Sequence, residues 1–312
     1  MRLHPPTAII DEVPRTALQA EIEALPSSQR LLESGGLCVY CARAAQIPRV
    51  LREIGRLREL TFRAVGEGTG RRSDVDRYDD YYLQLFVWDA RANLIAGAYR
   101  LGLVDEILAH HGDRGLYTQS LFEYPIRLLD MLNPAIELGR SFVRAEYQRS
   151  FAPLLLLWCG IGRFIARSPR YAVLFGPVSI SGRYTPVSRE LMVDYLSCCR
   201  ADTRLCSQVT PRRPFRHRTR TSGPGARPTP RSLDELARLV AQVEPDGKGI
   251  PVLVRHYLRL GGRVLGFSID EEFGNALDAL MMVDVRCVEP TLLARYMGDS
   301  GSAAFRAYHA LN

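Results

Sequence analysis

Residues 81–88 alternate Tyr81, Leu83, Leu85 and Val87 against Tyr82, Gln84, Phe86 and Trp88, and residues 94–103 answer them after a turn at 89–93. Period-two alternation on both sides of a short turn predicts a β-hairpin. This early hairpin constrains the fold more than any other feature. After it come a strand at 135–143, a buried helix at 152–167 and another strand at 171–180. A doubly wound nucleotide-binding domain alternates strands and helices from its first strand, and the hairpin breaks that alternation. The order predicts an α/β (α+β) chain: a mixed, mostly antiparallel central sheet flanked by helices.

The remaining segments fit around that sheet. Residues 14–34 carry helical spacing through Leu18, Ile22 and Leu25, and 37–42 read as a short strand. Pro48 opens a helix over 49–63 with Val50, Ile54, Leu57 and Leu60 on one face. A helix is expected over 188–201, and Ser232 caps another over 233–243 with Glu235 at the capping-box position. Segments 250–260, 264–269 and 280–288 complete the pattern, while 117–124 is ambiguous. Residues 206–230 are dominated by Arg, Pro, Thr, Ser and Gly, which predicts an excursion outside the core. The expected organisation is an N-terminal helical extension (1–36), one main domain (37–298) and a C-terminal tail (299–312).

At 312 residues, 46% of them hydrophobic and 24% charged, the chain has the make-up of one large folded domain, and wholesale disorder is excluded. The longest apolar stretch, 153–165, is interrupted by Arg163 and two glycines, short of a membrane span. Residues 1–6 carry no apolar run, so no secretory signal is read and a cytoplasmic chain is expected. A net charge of +7 leaves acidic partners open: nucleic acid, anionic lipid or an acidic carrier protein. Seven irregularly spaced cysteines do not make a disulfide framework.

Several motifs invite a chemical reading. Cys38 and Cys41 lie three apart on a strand and so face opposite ways, which makes them buried apolar residues and not metal ligands; no metal site is expected. The glycine loop 66–70 lacks the Gly-Lys-Ser/Thr of a phosphate-binding loop, so it is read as shaping a substrate pocket. Glu137 and Arg140 flank Gly139 in a predicted core strand, where glycine marks a bulge or a close approach to ligand. Gln148, Arg149, Ser150 and Phe151 then lead into the helix at 152–167, whose free N–H groups would receive a phosphate. Asp74, Asp76, Asp79 and Asp80 form an acidic cluster that is either solvated or aimed at a cationic acceptor. His256 is read as a satisfied histidine, and the arginine-rich stretch 212–231 as solvated or as a contact for an acidic carrier or anionic lipid.

Taken together, these stretches resemble a known family. They are residues 53–63, 66–70, 78–83 with Trp88 and Asp89, 96–100, 137–140, 175–179, 245–251 and 257–262, with Asp270 and Phe273 shortly after. They span about residue 37 to residue 298 and resemble the GNAT-fold acyltransferases, in the hemolysin-like or ornithine (amino-acid) acyl-carrier-protein N-acyltransferase branch. The skeleton Arg58, Phe62, Asp79, Arg100, Glu137 and Arg140 is also similar to that of acyl-homoserine-lactone synthases. Phe151 stands where the first glycine of the usual GNAT pyrophosphate signature would be, which favours acyl carrier protein over coenzyme A as donor. The chain has no room for the additional O-acyltransferase domain of some relatives.

The resemblance implies transfer of a long (3-hydroxy)acyl chain from acyl carrier protein to the amine of ornithine or a similar amino acid, the first step in making an aminolipid. No bound cofactor is implied. Glu137 is then the base or acceptor-orienting carboxylate, held by Arg140. Arg100, Asp79 and Arg63 bind the acceptor, and Gly139, Ser141, Arg149, Ser150 and Phe151 bind the donor. Partners are the carrier protein, the amino acid and peripherally the inner membrane, with no nucleic acid. Two alternatives stand beside this reading: synthesis of an acyl-homoserine-lactone-type signal, or a non-catalytic module binding a carrier protein or membrane.

Overall fold

The computed structural model describes residues 7–150, 152–217 and 230–311. In chain order the strands are β1 (Arg30–Ser34), β2 (Leu37–Arg43), β3 (Leu83–Asp89), β4 (Leu94–Leu103), β5 (Phe122–Glu123), β6 (Ala135–Val143), β7 (Val173–Ile180), β8 (Thr210–Pro211), β9 (Arg263–Asp270) and β10 (Ala276–Asp284). The helices are α1 (Arg15–Glu23), α2 (Pro48–Val65), α3 (Val104–His111), α4 (Ile126–Leu132), α5 (Ala152–Arg167), α6 (Pro186–Arg200), α7 (Thr203–Cys206), α8 (Leu233–Val243), α9 (Val252–Arg259), α10 (Pro290–Met297) and α11 (Asp299–Tyr308).

Eight strands form one sheet in the order β1-β2-β3-β4-β6-β7-β10-β9. Every neighbouring pair is antiparallel except β6 and β7. The expected hairpin is β3–β4, paired from Leu83↔Leu101 to Asp89↔Leu94. One face of the sheet carries the largest core cluster, where α5, α6, α8, α9, α10 and α11 contribute Trp158, Leu196, Leu236, Val254, Leu293 and Phe305. The other face has two clusters: α1 and α2 with residues from β2 to β4, and α3 and α4 with residues 116–124.

The parallel pair is the feature that makes a site. β6 and β7 pair only at Ala135↔Val173, Ile136↔Leu174 and Glu137↔Phe175, although both strands run on for several residues. Beyond Glu137 they part. Two local features mark the parting. At Gly176 a Cβ would collide with the Leu138 carbonyl oxygen, so the glycine lets the strands lie close up to that point. Opposite β4, Ala98 faces Phe142 while Arg100 faces Gly139, so β6 carries one extra residue. That bulge includes Arg140 at φ +52°, and a bulge bends its strand.

Three expectations about organisation are corrected. Residues 30–34 are not part of a helical extension but β1, the first strand of the sheet, and Leu31 joins the core. Residues 299–312 are not a tail: α11 buries Phe305 completely. Residues 206–217 are not a loose excursion, because β8 pairs with β5, Pro214 bridges Ser268 and Val209 is buried. The rest of that excursion, 218–229, lies outside the described residues. Sequence periodicity also missed α3, α4, α10 and α11, short helices of seven to ten residues whose apolar faces are too brief to register as a pattern.

Candidate active site

A cavity of about 100 Å³ opens in the wedge between β6 and β7. Gly139, Arg140 and Ser141 of the bulge form one side, and Pro177, Val178 and Ser179 of β7 the other. Phe62, Glu67, Tyr99, Tyr117, Leu253, Phe273 and Asp278 close it. Past the last β6–β7 pair, the bulge turns strand backbone toward this space without a partner strand on that side. Backbone N–H groups in such a place suit an oxygen that gains charge.

Two carboxyls share the cavity. Asp278 stands alone in the apolar run of β10, is 2% exposed, and accepts from the Ser179 hydroxyl at 2.7 Å. Burial, with the nearby charge of Asp270, pushes its pKa up to about 7. Glu67 is also pushed to about 7, by burial and by the charge of Asp278. Both groups are thus half-ionised near neutrality, the condition for taking and giving protons there.

Glu67 reaches the wedge on the glycine loop, which is stapled to α2. The buried Glu59 carboxylate accepts from Thr69 N (3.1 Å), Thr69 Oγ1 (2.6 Å) and Gly70 N (2.8 Å). Arg63 donates to Glu59 at 2.6 Å, to Thr7 O at 2.8 Å and to Arg71 O at 2.5 Å. Arg63, expected to bind the acceptor, instead fixes the loop that presents Glu67. The loop shapes a pocket, as its composition implied.

The acidic cluster is mostly buried, and its charges are answered. Arg58 donates to Asp79 at 2.8 Å and Gln84 at 2.7 Å, while Arg100 contacts Asp76 at 2.6 Å and Asp79 at 3.4 Å. Burial alone would raise the Asp79 pKa, but Arg58 and Arg100 hold it far below the usual carboxylate range. Arg100 is 1% exposed and lies 5.1–5.5 Å from the ring centres of Tyr78, Tyr82 and Tyr117. Asp79 and Arg100, expected to bind the acceptor, therefore do not line the cavity. They tie residues 71–82 across the seam between the two smaller cores.

Arg140 does line it. Its guanidinium contacts Asp74 at 3.0 Å and Asp76 at 3.5 Å, donates to the Tyr117 hydroxyl at 3.1 Å, and sits between the Tyr117 and Phe273 rings at 4.8 and 4.9 Å. It does not pair with Glu137. The Glu137 carboxylate accepts from Thr118 N at 2.6 Å, from Tyr117 N at 3.1 Å and from the Tyr82 hydroxyl. It is 1% exposed and absent from the cavity wall, and burial raises its pKa despite those donors. The structure thus shows Glu137 anchoring the turn that carries Tyr117, away from the cavity wall.

The expected donor-binding residues divide. Gly139 and Ser141 line the cavity, whereas Arg149 and Ser150 are exposed at the approach to α5, where Ser150 Oγ accepts from Ala152 N at 3.1 Å. Phe151 lies outside the described residues. Cys38 and Cys41 are both buried in β2. Burial, then Arg259 and Arg295, lowers the His256 pKa to about 4, so it is neutral at physiological pH.

Glu67, Asp278, Tyr99 and Tyr117 were not singled out as site residues from sequence. A signal existed for Asp278: a carboxylate in the middle of a run as apolar as 276–283 is costly to bury without a purpose. Among the described residues no helix is long and apolar enough to cross a membrane, and no cluster of three or more candidate metal ligands occurs.

The splayed parallel pair in a mostly antiparallel sheet, with two raised carboxyls in the wedge, has the architecture of an acyltransferase of the GNAT type, and the acetyltransferase (GNAT) domain family matches residues 57–158. A glycine N(alpha)-acyltransferase of Phocaeicola vulgatus is 32% identical over 261 residues, 79% of this chain and 79% of its own length. An L-ornithine N(alpha)-acyltransferase of Brucella abortus is 27% identical over 308 residues, 91% of this chain and 99% of its own. A solved CoA-dependent acyl-homoserine lactone synthase superposes with a TM-score of 0.41 at 14% identity, covering 86% of this chain and 99% of that one. The chain belongs to the amino-acid N(alpha)-acyltransferase family and is an N-acyltransferase.

Proposed function

We propose that the enzyme moves a long (3-hydroxy)acyl chain from acyl carrier protein to the α-amine of ornithine or a similar dibasic amino acid. The carrying observation is the pair Glu67 and Asp278, poised near pH 7 beside the β6–β7 wedge. The thioester carbonyl lies in the wedge with its oxygen toward the backbone N–H groups of 139–141. Asp278 or Glu67 takes a proton from the acceptor ammonium. The amine attacks, the N–C bond forms, and the tetrahedral oxyanion is held by those N–H groups. Collapse breaks the C–S bond as the nitrogen passes its second proton to the other carboxylate. The departing thiolate takes back one of the two protons so collected, and the other leaves to solvent. The acceptor's own carboxylate meets Arg140, whose charge stays fixed at all working pH.

An uncompensated excess of acid in the cavity supports a dibasic acceptor: one carboxylate serves the reacting amine, and another receives the second cation. Glycine is a second reading, favoured by the 32% identical relative of that name. The exposed Arg149 at the approach to α5 and the net charge of +7 support an acidic carrier as donor. A product bearing a long chain fits the inner face of the cytoplasmic membrane, with this enzyme acting there peripherally as the first step of an aminolipid.

The test is a matrix of purified enzyme, one acyl chain on carrier protein or coenzyme A, and ornithine, lysine, glycine or S-adenosylmethionine as acceptor, read by product mass. Acyl-ornithine formed faster from the carrier is expected. Equal efficiency with acyl-coenzyme A would remove the carrier protein from the proposal. Acylglycine as the main product would establish the second reading.

A further inference from the structure

The turn between β9 and β10 brings one apolar ring into the charged half of the wedge. Phe273 is 6% exposed and lines the cavity. It is where the core built by α1 and α2 reaches the wedge. Its ring packs edge to face on Phe62 of α2 at 5.1 Å, and the Arg140 guanidinium lies 4.9 Å from its centre. The backbone leaves this ring little freedom. The Asp270 carboxylate accepts from Glu272 N at 3.0 Å and from Phe273 N at 3.1 Å. At Gly274, φ +68°, the turn lies so close to the Gly66 carbonyl that no Cβ would fit. Arg189 of α6 donates to Asn275 O at 3.2 Å. The turn is therefore fastened to its own strand, to the glycine loop that carries Glu67, and to α6.

We propose that the Phe273 ring, with Phe62 beside it, is the surface on which the acceptor's side chain lies, so that the enzyme selects α-amino acids with an unbranched methylene stem over glycine. The inference rests on the reading in which Arg140 takes the acceptor's carboxylate and a cavity carboxyl its α-ammonium. Those two anchors fix the α-carbon beside the guanidinium. Two rings cover that guanidinium, Tyr117 at 4.8 Å and Phe273 at 4.9 Å, so a side chain leaving the α-carbon runs along one of them. Tyr117 turns a polar edge to the site: its hydroxyl accepts from Arg140 at 3.1 Å and donates to Asp270 at 3.4 Å. Phe273 carries no polar atom on its ring, and Phe62 continues the apolar surface along the cavity wall. Glycine has nothing to lay against it. Each methylene that covers it gains up to about fourfold in kcat/KM. The acceptor's stem is then read by a turn outside residues 57–158, the stretch that the GNAT domain family matches.

The experiment measures kcat/KM for glycine, L-alanine, L-2-aminobutyrate and L-norvaline with one acyl thioester, in the wild-type enzyme, Phe273→Leu and Phe273→Ala. These acceptors share the carboxylate and the α-amine and carry no second cation, so their ratios report side-chain contact alone. In the wild-type enzyme each added methylene should raise kcat/KM by about two- to fourfold, placing norvaline about tenfold or more above glycine. In Phe273→Ala the norvaline-to-glycine ratio should fall by about threefold or more, with Phe273→Leu between the two. Losing the ring stacked on Arg140 weakens all four acceptors alike, because all four present the same carboxylate. A role confined to packing or to holding Arg140 therefore lowers every rate and leaves the ratio where it was, and that result overturns the proposal. So does a wild-type profile that is flat or falling from glycine to norvaline, whether or not the variants fold. The proposed function fails by a different sign. A profile that rises to norvaline while ornithine is refused removes the dibasic acceptor and upholds the role of Phe273, and a wild-type enzyme that acylates no amine sinks both.

Discussion

Replacing Asp278 by Asn removes a charge that burial opposes, so the change should raise stability and lower activity, and pH should separate the two effects. The carboxyl has an ordinary value of 3.8 and is held at about 7 in the fold. Because the folded value is the higher one, its contribution to stability is complete below 3.8 and is lost as pH rises through about 7. At pH 8 the wild-type protein therefore carries roughly 4 kcal/mol of cost from keeping this carboxylate ionised, an upper figure from 1.36 kcal/mol per pH unit. If half of it survives local rearrangement, the Asn variant gains about 2 kcal/mol at pH 8, or about 4 °C in Tm. At pH 5 the folded carboxyl is protonated while the unfolded one is still ionised, so an upper figure of about 1.6 kcal/mol remains and the difference in Tm should shrink to about 2 °C. Scanning calorimetry at the two pH values gives the first half of the test. The second is the rate, which should fall by ~10²–10⁴ as an acid–base group is lost. Glu67 then loses the charge that helps raise it, so the ascending limb of the remaining activity should move below pH 7. A variant that melts lower than wild type at pH 8, or that keeps full activity, would refute the reasoning.

The other predictions concern the frame around that pair. Glu137→Gln leaves one carbonyl oxygen where two carboxylate oxygens served two backbone N–H groups and a phenol, so Tm should fall by several degrees; a stable variant with activity down ~10²–10⁴ would restore Glu137 as a base. Gly176→Ala forces a methyl against the Leu138 carbonyl and should cost about 1–3 kcal/mol or more in urea unfolding; unchanged stability would mean that glycine is not what lets the strands approach. Acceptor binding should release protons near pH 7, because an ammonium lowers the pKa of Asp278 and Glu67. Calorimetry in two buffers of different ionisation enthalpy would show this, and proton uptake would contradict it.

Much of the fold was legible because its longest elements have clean periods. The β3–β4 hairpin, α2, β6, α5 and β7 all follow from alternation or from helical spacing bounded by Pro and Gly. The site was legible by address and not by role. Glu137 and Arg140 mark the right strand, but the assignment assumed that charged neighbours pair with each other. An extra residue in β6 rotates Arg140 away from Glu137, toward Asp74 and Asp76, and no local pattern announces a bulge whose partner strand lies forty residues earlier. Asp278 and Glu67 were harder still. They come together from a strand and a loop separated by most of the chain, and each is unremarkable until the other's charge is beside it.

The arrangement of charges explains why those two carboxyls, and not the acidic run before the hairpin, are poised for chemistry. Asp74, Asp76 and Asp79 face Arg58, Arg100 and Arg140 at contact distances, three against three. A buried set so balanced is structural, because removing a proton from any arginine or adding one to any aspartate leaves an unpaired charge. The set also holds Arg140 in a left-handed conformation that an arginine adopts only at a cost of roughly 1–2 kcal/mol. The bulge, and with it the opening of the wedge, is thus maintained by side-chain charge. Asp278 and Glu67 are left over in the cavity wall with no cation in contact, since Arg140 is already shared between two aspartates. Burial then drives the surplus toward protonation, and the values near 7 are the outcome. An acceptor ammonium is the partner that this surplus lacks, so the imbalance that unsettles the empty cavity is the one that binds and deprotonates the substrate.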